Sequence, residues 1–162
     1  MPIDVSIRCV MPDDLQAVTD LSLRAKRSNG YDEAFMALCV DELTARVAWL
    51  EDGFWLAEAD GVGICGCVRL SVETGRDCGE VETCFVDPAC QGRGVGRALF
   101  QHLLTEAKAL GLSALQLDAD PYAVAFYQRM GFVTIGTSPS ASIPGRSLPR
   151  MERPVPHHES GM

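Results

Sequence analysis

The segment CQGRGVGR, at residues 90–97, most constrains what this chain can fold into. An apolar run from Val81 to Val86 precedes it and predicts a strand, whereas the apolar spacing after it predicts an amphipathic helix. Three alternating glycines allow backbone conformations and close approaches that a Cβ would block. The N–H groups and positive dipole end of such a helix, with two arginine charges, predict a phosphate or pyrophosphate site. These glycines and arginines are Gly92, Gly94, Gly96, Arg93 and Arg97.

The spacing of the glycines argues against the common nucleotide loops. A dinucleotide-binding fingerprint needs G-x-G-x-x-G after the first strand and an acidic residue about twenty positions later. Here the spacing is G-x-G-x-G, it lies past mid-chain, and no G-x-x-x-x-G-K-[ST] occurs. A nucleotide-binding regulatory domain is therefore a weak alternative. The other alternative is that the segment has only a structural role, as a glycine-rich turn at the start of a basic helix. From Gln91 to Gly96 the segment reads Q-x-x-G-x-G.

In this segment the chain resembles the GNAT superfamily of acetyl-CoA-dependent N-acetyltransferases, whose loop holds the coenzyme A pyrophosphate through backbone amides. The stretch from Pro121 to Phe132 resembles the looser forms of the superfamily's second signature, N-x-x-A-x-x-F-Y-x-x-x-G-F. Tyr31–Met36 and Ser142–Pro149 resemble the Y-x-x-x-F-M and S-I-P-G-R-x-L-P stretches of small bacterial-type members. The resemblance implies coenzyme A contacts at Phe85, Val86, Gln91, Gly92, Arg93, Gly94, Val95, Gly96, Arg97 and Tyr122.

Tyr122 departs from the family pattern, because related sequences often carry an asparagine there that bonds coenzyme A. Tyrosine can stack or donate through its hydroxyl, but it cannot reproduce an amide. One cofactor contact is therefore in question.

The predicted elements follow the order β-α-α-β-β-β-α-β-α-β-β. This order predicts a GNAT-like α/β fold, with a mixed, mostly antiparallel sheet and helices on both faces. Its longest helix runs from Val95 to Leu110, with Leu110 facing the core and Gly111 as its stop. Residues 138–149 read as a loop and residues 148–154 as a weak last strand. We expect one domain over residues 1–154 and a mobile tail over residues 155–162.

Acetyl transfer to an amine needs a base, and two carboxylates on the predicted strand are candidates. Deprotonating an alkyl amine of pKa near 10.4 at pH 7 costs about 4.6 kcal/mol. Glu80 and Glu82 lie on one face of the strand by its period of two, at positions where family members place a general base. We prefer Glu82; the alternative is a pair of solvent-facing carboxylates.

The carbonyl oxygen and the departing thiolate need hydrogen-bond donors. In the family a splayed strand frees a backbone N–H near the position of Val86, which would stabilise the oxyanion. The second signature places its tyrosine at Tyr127, the candidate acid for the thiolate. Proton transfer from tyrosine to a thiolate is uphill by roughly 2 kcal/mol with unshifted pKa values. Tyr127 would therefore assist the departure of the thiolate without being essential to it. The alternative is a tyrosine packed in the core.

The acceptor side of the site should come from the second predicted helical region, residues 31–50, and from the predicted loop at residues 138–149. Tyr31, Asp32, Phe35 and Met36 are candidates there, with Arg146 opposite them. Asp32 would suit a cationic acceptor, whereas Arg146 would suit one that bears a carboxylate. The apolar and aromatic candidates are more often core residues than ligand contacts.

Composition limits the partners. The 162 residues carry a net charge of -8, which disfavours nucleic acid and favours a cationic amine. No apolar run approaches membrane length, and no signal pattern opens the chain. Seven irregularly spaced cysteines fit neither a metal site nor a redox motif, so we expect a reduced, cytoplasmic protein.

The sequence thus predicts an N-acetyltransferase that uses acetyl-CoA as co-substrate, needs no metal and acts on a small-molecule or peptide amine. A catalytically silent acyl-CoA-binding or regulatory module is the main alternative. A homodimer stands as an open alternative to a monomer.

Overall fold

The computed structural model describes residues 2–157, which form seven strands and four α-helices. The strands are β1 Ser6–Cys9, β2 Gly53–Ala59, β3 Gly63–Val72, β4 Cys78–Val86, β5 Ala114–Asp118, β6 Val133–Pro139 and β7 Ser147–Pro154. The helices are α1 Leu15–Arg27, α2 Glu33–Leu43, α3 Val95–Ala109 and α4 Val124–Arg129. The predicted order of elements is therefore confirmed.

All seven strands form one sheet, in the order β1-β2-β3-β4-β5-β7-β6. Only the pairing of β4 with β5 is parallel, because α3 connects these two strands as a crossover. The mixed, mostly antiparallel sheet expected from the sequence is confirmed. Within residues 2–157, no helix combines the length and the apolar sequence that a membrane span requires.

Helices cover both faces of the sheet, as alternate residues of β2 show. Leu56 is fully buried in a cluster with Val18 and Leu21 of α1. Its neighbour Ala57 is fully buried in the cluster that contains Leu99 of α3. Because successive strand residues face opposite sides, α1 and α3 pack on opposite faces. We call these the α1 face and the α3 face.

A β-bulge changes the direction of the side chains in the middle of β4. The register with β3 passes from Leu70–Val81 to Arg69–Thr83, so Glu82 is the extra residue. Ser71 of β3 hydrogen-bonds Glu82 and Arg69 hydrogen-bonds Thr83, and residues two apart on a strand share a face. Glu82 and Thr83 therefore both project from the α1 face.

The sheet opens between β4 and β5. The two strands pair only from Cys78 with Ala114 to Glu80 with Gln116. Beyond these pairs β4 continues to Val86, whereas β5 ends at Asp118. The strands diverge and leave a wedge, which is the splayed strand that the family resemblance implied.

Three boundary predictions are wrong. The hairpin of β6 and β7 takes residues 138, 139 and 147 from the predicted loop, because Pro139 pairs with Ser147. Leu110 is 60% exposed and ends α3 instead of facing the core. Val155, assigned to the tail, is buried and donates its N–H to the Ser113 carbonyl at 2.9 Å, and His157 lies 2.6 Å from the Leu112 carbonyl. The rest of the predicted tail, residues 158–162, lies outside the described residues.

Candidate active site

A cleft of about 750 Å³ follows the wedge and brings many of the predicted site residues together. The predicted residues that line it are Glu80, Glu82, Phe85, Val86, Gln91, Gly92, Gly94, Val95, Gly96, Arg97, Tyr122 and Tyr127. Those outside its lining are Tyr31, Asp32, Phe35, Met36, Arg93 and Arg146. The carbonyl of Arg93 accepts the N–H of Ile3 at 3.1 Å.

The three glycines of the loop have two different roles. Gly92 and Gly94 adopt φ of +76° and +88°, in the left-handed region that favours glycine. Gly96 permits close packing instead, because a Cβ there would lie 2.8 Å from the Phe126 ring of α4. Gly94 caps α3, and the first helical bond runs from the Ala98 N–H to the Gly94 carbonyl. The N–H groups of residues 95–97 therefore have no acceptor within the helix, which is the geometry of an anion site.

The end of β4 presents a backbone donor to the wedge. The Asp87 N–H donates to the Cys65 carbonyl on β3 at 2.9 Å. Because successive N–H groups of a strand point to opposite edges, the Val86 N–H points to the other edge, into the wedge. The Gln91 amide nitrogen lies 3.5 Å from the Val86 carbonyl on that edge.

The two candidate carboxylates have different surroundings. Both oxygens of Glu80 accept from the Arg150 guanidinium, at 2.6 and 2.7 Å, and burial raises the pKa of Glu80 against the effect of this arginine. Glu82 is exposed and accepts a 2.6 Å hydrogen bond from the Ser71 hydroxyl. No cation of residues 2–157 pairs with it. Glu82 is thus the carboxylate with an oxygen available for an amine proton.

Tyr127 is buried in the core and also belongs to the lining of the cleft. Its ring packs against those of Phe100, Phe126 and Phe132, with centroids 5.4 to 5.9 Å apart. Burial, helped by Cys84 and Asp120, raises the pKa of Tyr127 well above its ordinary value. A full proton transfer from Tyr127 is therefore less favourable than the sequence suggested, and its hydroxyl suits a hydrogen bond to a thiolate.

Tyr127→Phe removes one hydroxyl and leaves the ring packing, so the fold should survive. We expect kcat to fall about 10²-fold, the low end for a positioned proton donor, while the KM for acetyl-CoA stays within twofold. Steady-state thiol release measures both constants. Weaker acetyl-CoA binding at unchanged kcat would make Tyr127 a binding contact, and no change in either would leave it a core residue.

Sequence reasoning missed a partly buried cluster centred on Asp120. Its carboxylate accepts from Lys26 Nζ at 3.0 Å, the Tyr31 hydroxyl at 2.9 Å and the Tyr122 N–H at 3.0 Å. Arg146 donates to the Tyr31 hydroxyl at 2.7 Å. The cluster joins α1, the turn before α2, the start of α4 and the hairpin of β6 and β7. Lys26 and Asp120 themselves line the cleft.

This cluster explains why the predicted acceptor residues lie outside the cleft. The Tyr31 and Phe35 rings stack 4.0 Å apart, and the Arg146 guanidinium lies 4.9 Å from the Phe35 centroid. Asp32 instead caps α2, accepting the Phe35 N–H at 2.8 Å. Met36 is buried. The cleft is also lined by residues that the sequence analysis did not name, Glu42, Leu43, Trp49, Ala141 and Leu148.

Asp120→Asn should destabilise the fold by about 1.5 to 3 kcal/mol at pH 7, since charged hydrogen bonds are lost. Burial opposes ionisation, but the Tyr122 N–H and Lys26 hold the pKa of Asp120 below its ordinary value. The stabilisation is therefore present above the unfolded-state pKa, near 3.9, and is lost as pH falls through the lower folded pKa. Urea unfolding at several pH values should show the difference between parent and variant shrinking only below about pH 4. A constant difference across that range would contradict the charged role of Asp120.

The seven cysteines, all among the described residues, are free thiols. Burial raises the pKa of Cys65 to about 11 and those of Cys67 and Cys84 to about 12. No three histidine, cysteine, aspartate or glutamate side chains within residues 2–157 lie close enough together to share a metal ion.

Comparison with known proteins supports the family. The model of the acetyltransferase (GNAT) family matches residues 16–132. An uncharacterized N-acetyltransferase of Methanocaldococcus jannaschii is 34% identical over 140 residues, covering 78% of this chain and 60% of that protein. An IAA acetyltransferase of Azospirillum brasilense is 36% identical over 86 residues, covering 51% of this chain and 56% of that protein. The chain thus spans less than two thirds of the length of these relatives.

Solved structures show the same fold. A GCN5-related N-acetyltransferase from Rhodopseudomonas palustris superposes with a TM-score of 0.77 at 24% identity, over 95% of this chain and 98% of that one. The PaiA N-acetyltransferase from Thermoplasma acidophilum, in complex with coenzyme A, superposes with a TM-score of 0.75 at 17% identity, over 94% of this chain and 99% of that one. The family match covers more than half of the chain and includes the glycine loop, β4 and Tyr127. This chain is a member of the GNAT acetyltransferase family.

Proposed function

We propose that this protein is an acetyl-CoA-dependent N-acetyltransferase acting on a primary amine of a small molecule or peptide. One observation carries the proposal: the glycine loop at the start of α3, Glu82 and Tyr127 all line a single cleft. An anion site, a base and a donor are the three elements that transfer from a thioester to an amine requires.

The cofactor end of the cleft fits coenzyme A. Gly92 and Gly94 carry no side chain, and the space beside them is open, because a Cβ added at either would meet nothing within 4 Å. The pyrophosphate would accept from the N–H groups of residues 95–97, and the Arg97 side chain adds positive charge beside them. The exposed Tyr122 ring lines the same cleft and would contact the coenzyme arm by stacking or through its hydroxyl.

The residues of β4 and α4 would divide the chemistry among them. Glu82 would accept a proton from the ammonium group, directly or through one water, so that the neutral amine can attack. The Val86 N–H would hold the carbonyl oxygen as its negative charge develops, a contact typically worth about 2.7 to 4 kcal/mol. Tyr127 would hydrogen-bond the sulfur as the thiolate leaves. Glu80 is better placed as a structural partner of Arg150 than as the base.

A catalytically silent acyl-CoA-binding module is the alternative. It would keep the glycine loop but would not need an available carboxylate and a tyrosine hydroxyl in the same cleft. Glu82 and Tyr127 reach this cleft from the α1 face and the α3 face, respectively, on either side of the wedge. This arrangement supports catalysis.

Thiol release from acetyl-CoA, measured over a panel of primary amines, tests the proposal. We expect at least one amine class to give release well above the rate without amine. A silent module would instead raise the melting temperature with acetyl-CoA and release no thiol with any amine.

A further inference from the structure

We propose that Trp49 determines acceptor specificity and that the acceptor is a primary amine with a flat aromatic group, which stacks on the indole while the amine lies at Glu82. This inference rests on the proposed acetyltransferase function and names the substrate class.

Trp49 forms the aromatic wall at the acceptor end of the cleft. It lies in the 3-10 turn Val47–Glu51, which follows α2, and its side chain is partly exposed. Leu43 of α2 and Leu148 of β7 line the same cleft, together with the carboxylates of Glu42 and Glu82. Small-molecule sites combine such apolar walls with a few polar groups that fix the orientation of the ligand.

The indole is held in place before any acceptor binds. The Arg69 guanidinium lies 3.8 Å from the ring centroid, and the Phe54 ring meets the indole edge-on at 6.0 Å. Arg69 is itself only 11% exposed and bonds Asp52 at 2.7 Å. A ring fixed in this way loses little conformational freedom on binding a ligand.

The same arginine links the indole to the candidate base. Arg69 Nε donates to the Thr83 hydroxyl at 3.3 Å, and Thr83 directly follows Glu82. The bulge places Glu82 and Thr83 on one face, and Trp49 packs in the cluster on that face, so the indole and the carboxylate both lie on the α1 face and line the same cleft. A molecule with an aromatic ring and an amine joined by a short linker can contact both.

The charge around Trp49 favours an aromatic group over a second cation. Arg69 already occupies one face of the indole, and the Arg46 guanidinium lies 5.8 Å from its centroid. Another cation would be repelled by both arginines, whereas the electron-rich face of an aromatic ring is attracted to an indole polarised by a guanidinium. Aromatic pairing beyond simple burial should favour an aryl amine over a saturated analogue by roughly 2- to 10-fold.

The test compares kcat/KM for 2-phenylethylamine and 2-cyclohexylethylamine, which have the same carbon skeleton and amines of similar basicity. The parent should prefer the phenyl compound by roughly 2- to 10-fold, through KM. Trp49→Leu should bring the ratio to about one, and Trp49→Phe should retain part of the preference. An unchanged acetyl-CoA thermal shift would show that each variant folds.

Equal use of the two amines by the parent, or the same preference in Trp49→Leu, overturns the inference. Acetylation confined to amines without an aromatic group also overturns it and leaves the proposed function standing. If no amine of any class gives thiol release, both this inference and the proposed function are overturned.

Discussion

Gly94→Asp is expected to abolish the rise in melting temperature that acetyl-CoA produces in the parent protein. At one hundred times its dissociation constant, a ligand stabilises the folded state by about 2.7 kcal/mol, or roughly 5 to 10 °C for a domain of this size. Gly94 caps α3 at φ +88°, beside the N–H groups that would hold the pyrophosphate. An aspartate there adds a negative charge and a side chain where the phosphates would lie, so the shift should fall to within error of zero.

Gly75→Asp is the matched control for this variant. Gly75 has φ +84° and open space around a Cβ, so both substitutions introduce the same charge and a similar left-handed strain of about 1–2 kcal/mol. It lies in the turn between β3 and β4, at the opposite end of β4 from the glycine loop. The control should keep the full acetyl-CoA shift. If Gly94→Asp kept it too, the loop would not be the coenzyme A site.

Glu82→Gln should lower kcat/KM about 10²- to 10⁴-fold near neutral pH. The amide cannot accept the ammonium proton, and the neutral amine is scarce at pH 7, where deprotonation costs about 4.6 kcal/mol. As pH rises toward the amine pKa, solution supplies the neutral amine and the variant should recover part of its activity. A full pH–rate profile of parent and variant measures this difference.

Glu73→Gln is the control for loss of an exposed carboxylate. Glu73 lies in the turn between β3 and β4, is 75% exposed and pairs with Arg76 at 3.6 Å, so its removal should leave the profile unchanged. If the pH–rate profile of Glu82→Gln runs parallel to that of the parent, Glu82 is a structural carboxylate. Glu80 or water would then be the candidate base.

The parts of the fold and site that the sequence predicted have local causes. The strand before Asp87, the left-handed glycines and the amphipathic α3 are each encoded in one continuous stretch of sequence, so their juxtaposition follows from chain order. The order of elements was predictable for the same reason. The β-bulge at Glu82 was not, because it depends on how β4 pairs with β3.

The acceptor side was poorly predicted because its contacts are distant in sequence. Asp120 meets Lys26 across 94 positions and Tyr31 across 89, and neither spacing leaves a periodic signal. Asp32 stands before an apolar run, which is also the pattern of a helix cap, and the structure shows the cap. No motif in the sequence marks Trp49 as a cleft residue, and it is the fold that brings Trp49 into the lining of the cleft.

The most direct test of the central claim is the fate of the acetyl group in a single turnover. Enzyme in excess over acetyl-labelled acetyl-CoA is mixed with each primary amine of the panel, and the label is followed together with free thiol. Acetyl transfer through this cleft predicts equal amounts of labelled amide and free thiol in the parent and neither in Gly94→Asp. Label that stays on coenzyme A in the parent, despite saturable acetyl-CoA binding, would contradict it and make the protein a binding module.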